Sequence, residues 1–325
     1  MHNVLVANRL EDKALERLKS KANVTVFMGD ATLENPAFKE ALQKTEGITG
    51  LDLTIDAELL QHAPNLKIIS NVSVGYNNLD LDLMTKHNIM GTNTPGVLTD
   101  TVADLGFALL MASARRLPEL DHYVKSGKWN NDLTAEYYGI DIHHKTIGII
   151  GMGNIGQAIA KRAYFGFDMN VIYNSRSSKP EAEKKFNATY ASIDDVMKKA
   201  DFVVLMTPLT PETTGLITKR EFSLMKDSAI FINMSRGQTI IEKDLIEVLK
   251  AGKIRGAGLD VFETEPIEKD NPLLSMPNVV TLPHIGSSTY QTELAMSELA
   301  VDNLLAGLNG EKPANLLNTT VWERN

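Results

Sequence analysis

Short apolar runs of four or five residues, rich in Val and Ile, alternate with longer amphipathic segments along the whole chain. They fall at 3–7, 24–28, 67–71, 146–150, 170–173, 202–206, 229–233, 256–260 and 279–282. Continuous runs of this kind, with helices between them, read as parallel strands buried on both faces. The pattern predicts a doubly wound α/β chain. Its 325 residues suffice for two domains, and 43% hydrophobic with 23% charged residues is ordinary for a globular protein. No short-period repeat or low-complexity tract interrupts the alternation.

Two long helices set the expected domain layout. The segment 99–117 (TDTVADLGFALLMASARRL) puts Val102, Leu105, Leu109 and Ala112 on one stripe, begins at Thr-Asp and has Pro118 beyond its end. The segment 287–308 begins at Ser-Ser-Thr, carries Leu294, Val301, Leu305 and Leu308 on one face and stops near Gly310. A glycine fingerprint lies between them. The simplest layout is nested: a dinucleotide-binding domain over 100–287, inserted in a substrate domain built from 1–99 and 288–325, with substrate bound in a cleft between the two. Two sequential domains cut near 145 are the alternative. The polar and aromatic stretch 118–145 reads either as an arm on a second subunit or as a solvated loop.

The fingerprint is GMGNIG, within KTIGIIGMGNIGQAIAKRA. Gly151 permits a tight turn, Gly153 lets the backbone approach a pyrophosphate, and Gly156 allows close helix–strand packing. The helix start at Asn154 and Ile155 offers free N–H groups to phosphates. About 20 residues later such a site usually has an Asp or Glu at the end of the next strand. Here VIYNSRSS puts Asn174 there, followed by Ser175, Arg176 and Ser177. Loss of the acid removes repulsion of a 2′-phosphate, the serines offer hydroxyl donors, and Arg176 offers a guanidinium for phosphate oxygens or adenine. The stretch is expected to prefer NADP(H) over NAD(H). The bland alternative is a solvated arginine in an indifferent site. Thr207 and Pro208 follow another strand, at the carboxyl end where ligands bind in open sheets.

Hydride transfer to a ketone needs a proton donor and an orienting cation. Of the seven histidines, only His284 (VVTLPHIGSS) follows directly on a cofactor-domain strand. Arg236 (FINMSRGQTI) and Glu265 (GLDVFETEP) stand after two other strands. An arginine there can bind a substrate carboxylate and polarise the adjacent carbonyl. A carboxylate can orient the imidazole and raise its pKa. The bland readings are a capping or surface arginine and a solvated loop acid.

A net charge of −8 with no long basic block argues against nucleic-acid or anionic-membrane partners. The absence of cysteine excludes thiol chemistry, disulfides and cysteine-ligated metals. No apolar run approaches a membrane span and the first residues lack the apolar core of a signal peptide, so a cytoplasmic protein is the default expectation.

GIIGMGNIG, NMSRG, GLDVFETEP and LPHIGSST, in this order, resemble the D-isomer-specific 2-hydroxyacid dehydrogenases over almost the whole chain. The resemblance implies two Rossmann-like domains, the first flavodoxin-like, and no metal. It implies Arg236 as substrate arginine, His284 as acid/base and Glu265 as its partner. It places Asp260 near the nicotinamide carboxamide and Thr101 near the cofactor, with Thr213, Met234, Ser235 and Gly286 completing the cofactor set. NVSVGYNNLD matches a loop whose backbone N–H groups, here at Val74 and Gly75, hold the substrate carboxylate. A homodimer joined through the cofactor domains is typical.

SRS after the second strand resembles the NADP-using glyoxylate/hydroxypyruvate and 2-ketogluconate reductases. Some of the former have a tryptophan-rich arm, whereas this chain reads NNDLTAEYYGID, with Glu136, Tyr137 and Tyr138. A polar arm suits a longer polyhydroxylated acid, so the expectation is a 2-ketogluconate reductase with glyoxylate and hydroxypyruvate as side substrates. Glyoxylate/hydroxypyruvate reduction as the main activity is the alternative. Formate dehydrogenase is disfavoured because that branch has Gln where this chain has Glu265. A long-type phosphoglycerate dehydrogenase and a cofactor-sensing corepressor are disfavoured because the chain ends soon after the last helix.

Overall fold

Val and Ile favour strands because their branched Cβ packs well on a pleated, buried surface. The computed structural model describes residues 1–51 and 53–323. All nine expected runs are strands, each with ends within a residue of those read from sequence. Three further strands, β3, β5 and β8, were not expected; their residues GITG, MGT and TY contain no apolar run.

Among the described residues the strands are β1 (Asn3–Ala7), β2 (Asn23–Phe27), β3 (Gly47–Gly50), β4 (Ile68–Asn71), β5 (Met90–Thr92), β6 (Thr146–Ile150), β7 (Asn170–Asn174), β8 (Thr189–Tyr190), β9 (Phe202–Leu205), β10 (Ile230–Asn233), β11 (Gly256–Leu259) and β12 (Val279–Thr281). The α-helices are α1 (Asp12–Lys19), α2 (Pro36–Leu42), α3 (Ala57–His62), α4 (Leu81–Lys86), α5 (Thr99–Arg115), α6 (Leu117–Lys125), α7 (Asn154–Phe167), α8 (Pro180–Phe186), α9 (Ile193–Lys199), α10 (Lys219–Leu224), α11 (Glu242–Lys250), α12 (Tyr290–Leu308) and α13 (Thr320–Glu323). No helix is long and apolar enough to cross a membrane among the described residues.

Contacts divide the chain into two units, one of Met1–Leu98 with Ser287–Asn325 and one of Thr99–Gly286. The first holds a parallel sheet in the order β2-β1-β3-β4-β5, the flavodoxin-like order. Its core includes Leu5, Phe38, Leu42, Ile48, Ile69 and Met84. On α12 the buried face differs from the expected stripe. Leu294 and Leu305 are half-buried, whereas Met296, Ser297, Ala300, Asn303 and Leu304 are buried. Polar residues sit there because they are satisfied: Ser297 Oγ accepts the Glu11 N–H at 3.1 Å, and Ser70 Oγ, which accepts from Thr92 Oγ1 (2.8 Å), donates to the Ala300 carbonyl (2.8 Å). Asn303 Nδ2 donates to the Asn93 carbonyl at 3.2 Å. Paired groups of this kind remove the penalty of burying them.

The second unit holds a parallel sheet in the order β12-β11-β10-β9-β6-β7-β8. Strand order reverses between β6 and β9, the switch point at which open α/β sheets bind ligands. Its core gathers Val203, Leu205, Phe222, Phe231, Leu245 and Leu259. α5 stops two residues before the expected end, because Arg116 adopts a left-handed conformation (φ 55°). The Arg116 guanidinium grips both Glu119 oxygens at 2.7 Å. Pro118 lies in the first turn of α6, where its missing N–H costs nothing. The stretch 118–145 therefore opens with a helix, and Tyr137 packs on Tyr123 with ring centroids 5.0 Å apart.

Candidate active site

Register brings the site residues to one edge of the second unit's sheet. Leu205 pairs with Asn233, Asn233 with Leu259, and Leu259 with Thr281. Thr207, Arg236, Asp260, Glu265 and His284 all follow these aligned ends, so they emerge on the carboxyl side of neighbouring strands.

The glycine turn opens this edge at the switch point. Gly151 has φ 108°, a conformation that side chains with a Cβ avoid, and a Cβ there would lie 2.6 Å from Met206 backbone atoms. A Cβ on Gly156 would lie 2.2 Å from the Gly151 carbonyl oxygen. Gly153, which caps α7, has nothing within 4 Å of its Cβ position. Open space in front of a helix N-terminus suits a phosphate. The neighbouring Thr207 Oγ1 is buried with no hydrogen-bond partner among the described residues, so it too fits a polar ligand. These residues fit a dinucleotide.

Other expected cofactor residues are placed less directly. Thr213 Oγ1 is engaged within its loop, donating to the Pro208 carbonyl at 2.6 Å and accepting from Thr210 N–H at 2.8 Å. The buried Ser235 hydroxyl donates to Asn233 Oδ1 (2.9 Å) and meets Thr239 Oγ1 at 2.9 Å. Both hydroxyls are engaged by local partners. Met234 is buried and Thr101 half-buried in the first turn of α5. Arg176 is exposed, with Ser175 and Ser177 beside it on the loop after β7.

His284 and Glu265 meet. Nδ1 lies 2.7 Å from Glu265 Oε2, while Oε1 accepts the Phe262 N–H at 2.9 Å. Burial pushes the Glu265 carboxyl up. The His284 hydrogen bond, the Phe262 N–H and the charges of His284 and Arg236 outweigh it and carry the group below its ordinary value. With Nδ1 engaged, Nε2 is the nitrogen left for a substrate. Arg236 is half-buried, and one guanidinium N–H donates to the Ser235 carbonyl at 2.8 Å. Asp260 is 2% exposed. Its Oδ1 accepts the Ile285 N–H at 2.8 Å, and the Gly286 N–H also reaches it. Burial dominates and raises this carboxyl. Asp260 thus anchors the turn that carries His284.

Two supports were not singled out in the sequence. A Cβ on Gly237 would lie 1.8 Å from Phe262 backbone atoms. Only a glycine lets the segment bearing Arg236 approach the one leading to Glu265. Glu242, 8% exposed, accepts from the Glu263 N–H at 3.0 Å and the Asn271 amide at 2.7 Å. The glycine of SRG was a visible signal; nothing marked Glu242.

In the first unit, the loop after β4 turns its carbonyls inward. The Val74 carbonyl accepts from Asn93 Nδ2 (2.8 Å) and the Gly75 carbonyl from Ser73 Oγ (2.6 Å). Asn71 and Asn78 brace the same loop at 2.8 Å. The Val74 and Gly75 N–H groups have no acceptor among the described residues, an arrangement suited to an anion.

Residues 107–286 match the family model described as D-isomer specific 2-hydroxyacid dehydrogenase, NAD binding domain. The chain belongs to the D-isomer-specific 2-hydroxyacid dehydrogenase family. It is therefore an oxidoreductase with a dinucleotide-binding domain. Within this family it is 46% identical to glyoxylate/hydroxypyruvate reductase B of Escherichia fergusonii over 321 residues, covering 98% of each chain. A solved protein from Thermus thermophilus is 40% identical, with TM-score 0.89 over 97% of this chain and 99% of that one. An NADPH-dependent glyoxylate/hydroxypyruvate reductase from Sinorhizobium meliloti, solved with NADP and malonate, is 31% identical, with TM-score 0.87 over 98% and 97%.

Glu136 shares a cavity with Ile230, Gly256 and Val279, which begin β10, β11 and β12. Tyr138 offers its carbonyl to Arg255 at 2.8 Å, at that same end. Within one chain, then, the polar stretch packs at the amino ends of β10, β11 and β12, whose carboxyl ends lead to Arg236, Glu265 and His284.

Proposed function

We propose that this chain reduces small 2-keto acids to D-2-hydroxy acids with NADPH, glyoxylate and hydroxypyruvate being the main substrates. The observation that carries the reading is the Glu265–His284 pair at 2.7 Å, on the strand edge that also bears Arg236. The reductase names of relatives at 45–46% identity over nearly the full chain favour the short acids over 2-ketogluconate. The Asn174–Ser177 loop, lacking an acid and bearing Arg176, supports NADPH over NADH.

When bound, the nicotinamide supplies a hydride to the carbonyl carbon. Arg236 binds the keto acid and polarises its carbonyl. His284 donates the Nε2 proton to the oxygen as negative charge develops there. Glu265 holds Nδ1, fixing the ring's orientation. Asp260 holds the backbone on either side of Ile285. The exposed Leu117, Val124, Trp129 and Tyr138 support a homodimer joined through this unit; a monomeric mass by light scattering would refute it.

The test is kcat/KM for NADPH and NADH with glyoxylate, hydroxypyruvate and 2-ketogluconate in parallel. NADPH with a two- or three-carbon acid should be best. A clear win for 2-ketogluconate would reverse the substrate assignment, and equal use of NADH would remove the cofactor assignment. H284A should lower kcat by about 10²- to 10⁴-fold while NADPH binding stays nearly intact. Near-normal turnover in H284A would refute the mechanism.

A further inference from the structure

The loop that replaces the usual acid is suspended at several points. At its root, the Asn174 carbonyl accepts the Gly151 N–H at 2.9 Å, which joins it to the glycine turn. Asn174 Nδ2 donates to the Ala191 carbonyl at 2.8 Å. At its far end, the Lys179 N–H donates to the Tyr173 hydroxyl at 2.6 Å. Tyr173 is fully buried and donates in turn to Glu183 at 2.7 Å. Between these anchors, Tyr190 Oη donates to the Ser175 carbonyl at 3.0 Å. The Tyr190 ring packs on Tyr173 with centroids 5.4 Å apart. Tyr190 belongs to the two-residue edge strand β8 and is 45% exposed.

An exposed tyrosine on so short an edge strand contributes little to the core. Its hydroxyl spans to the peptide immediately before Arg176. We propose that Tyr190 is a positioning residue for cofactor selection, holding the Ser175 carbonyl so that Ser175, Arg176 and Ser177 stand ready for the 2′-phosphate. The inference rests on the NADPH reading above and adds a residue outside the loop to it. Preorganisation of this kind acts on affinity, because a loop already in place loses less entropy on binding. It also explains the amide at 174. A carboxylate there would set an oxygen against the Ala191 carbonyl, with no N–H to donate. N174D therefore loses the loop's anchor as well as repelling the phosphate, and it does not convert the site to NADH.

The decisive measurement is the dissociation constant of NADPH and of NADH for the enzyme without substrate, by nucleotide fluorescence, with Tm recorded alongside. Y190F should weaken NADPH by about three- to tenfold, the worth of one hydrogen bond. Its NADH affinity, Tm and kcat should stay near wild type. Unchanged NADPH affinity would overturn the proposal, and so would equal weakening of both nucleotides with a lowered Tm. R176A separates this from the parent reading. If R176A abolishes the NADPH preference and Y190F leaves it intact, only the Tyr190 role fails. If the wild type binds both nucleotides equally, and R176A with it, the NADPH reading fails and the role of Tyr190 falls with it.

Discussion

His284 adopts φ 54°, in the left-handed region that costs a side chain with a Cβ roughly 1 kcal/mol. Such conformations persist where the surroundings over-determine them. Here Asp260 accepts the Ile285 N–H on one side, and Glu265 holds the ring on the other. The cost is offset by an imidazole with one nitrogen committed and one left for the substrate. E265Q tests the division of labour. Its amide keeps the shape but removes the charge opposite Nδ1. We expect kcat to fall by about ten- to a hundredfold while the NADPH dissociation constant stays within twofold, an outcome read from stopped-flow turnover and fluorescence titration. A large loss of NADPH binding in E265Q would place Glu265 with the cofactor instead.

At the scale of elements, two glycines next to functional groups have opposite reasons for being glycine. Gly237 faces backbone: a Cβ would sit 1.8 Å from Phe262 atoms. G237A must push two site-bearing segments apart, at a cost on the order of 3 kcal/mol or more. Thermal unfolding should show a clear loss of Tm. Gly153 faces open space, and nothing lies within 4 Å of its Cβ position. G153V should keep a near-native Tm and lose dinucleotide binding, because the side chain occupies the space before α7. A G153V protein that binds NADPH normally would show that the phosphates do not lie there. Sequence spacing announced Gly153. The demand on Gly237 arises only once β10 and β11 are paired, since Phe262 is distant in the chain.

Across the molecule, stability against acid has an identifiable local contributor. Glu46 accepts hydrogen bonds from Lys67 Nζ (2.7 Å) and the Asn3 N–H (3.1 Å), and lies 3.1 Å from His2 Nδ1. The group ties the amino ends of β1, β3 and β4. The Lys67 bond is the largest influence, opposed by burial and aided by His2 and Asn3, and the Glu46 pKa is lowered to about 2 from 4.5. Because the folded value is the depressed one, the stabilisation is present above the unfolded value and is lost as pH falls toward the folded one. E46Q should destabilise the protein by roughly 1 to 3 kcal/mol at pH 7. The gap should narrow between pH 4.5 and about 2, as read from urea unfolding across that range. A gap independent of pH would mean that the carboxylate charge plays no part.

Local chemistry by itself determined much of this protein. Apolar runs, most of them of Val and Ile, marked nine strands, because burial on both faces leaves a continuous apolar signature. GMGNIG marked the dinucleotide turn, because the spacing of its glycines between an apolar run and a helix is itself the signature of such a turn. The short strands β3, β5 and β8 left no such mark; neighbouring strands alone make them strands. The helical break at Arg116 was hidden too, since it depends on Glu119 and on a Pro118 that starts a helix as readily as it follows one. The buried face of α12 was misread because Ser297 and Asn303 are core residues only where tertiary partners satisfy them. Tertiary structure also decided which histidine nitrogen faces Glu265, where the 135–138 stretch packs, and that Tyr190 reaches the loop of Arg176. Each of these depends on groups far apart in the chain, whose distances follow from strand order and register.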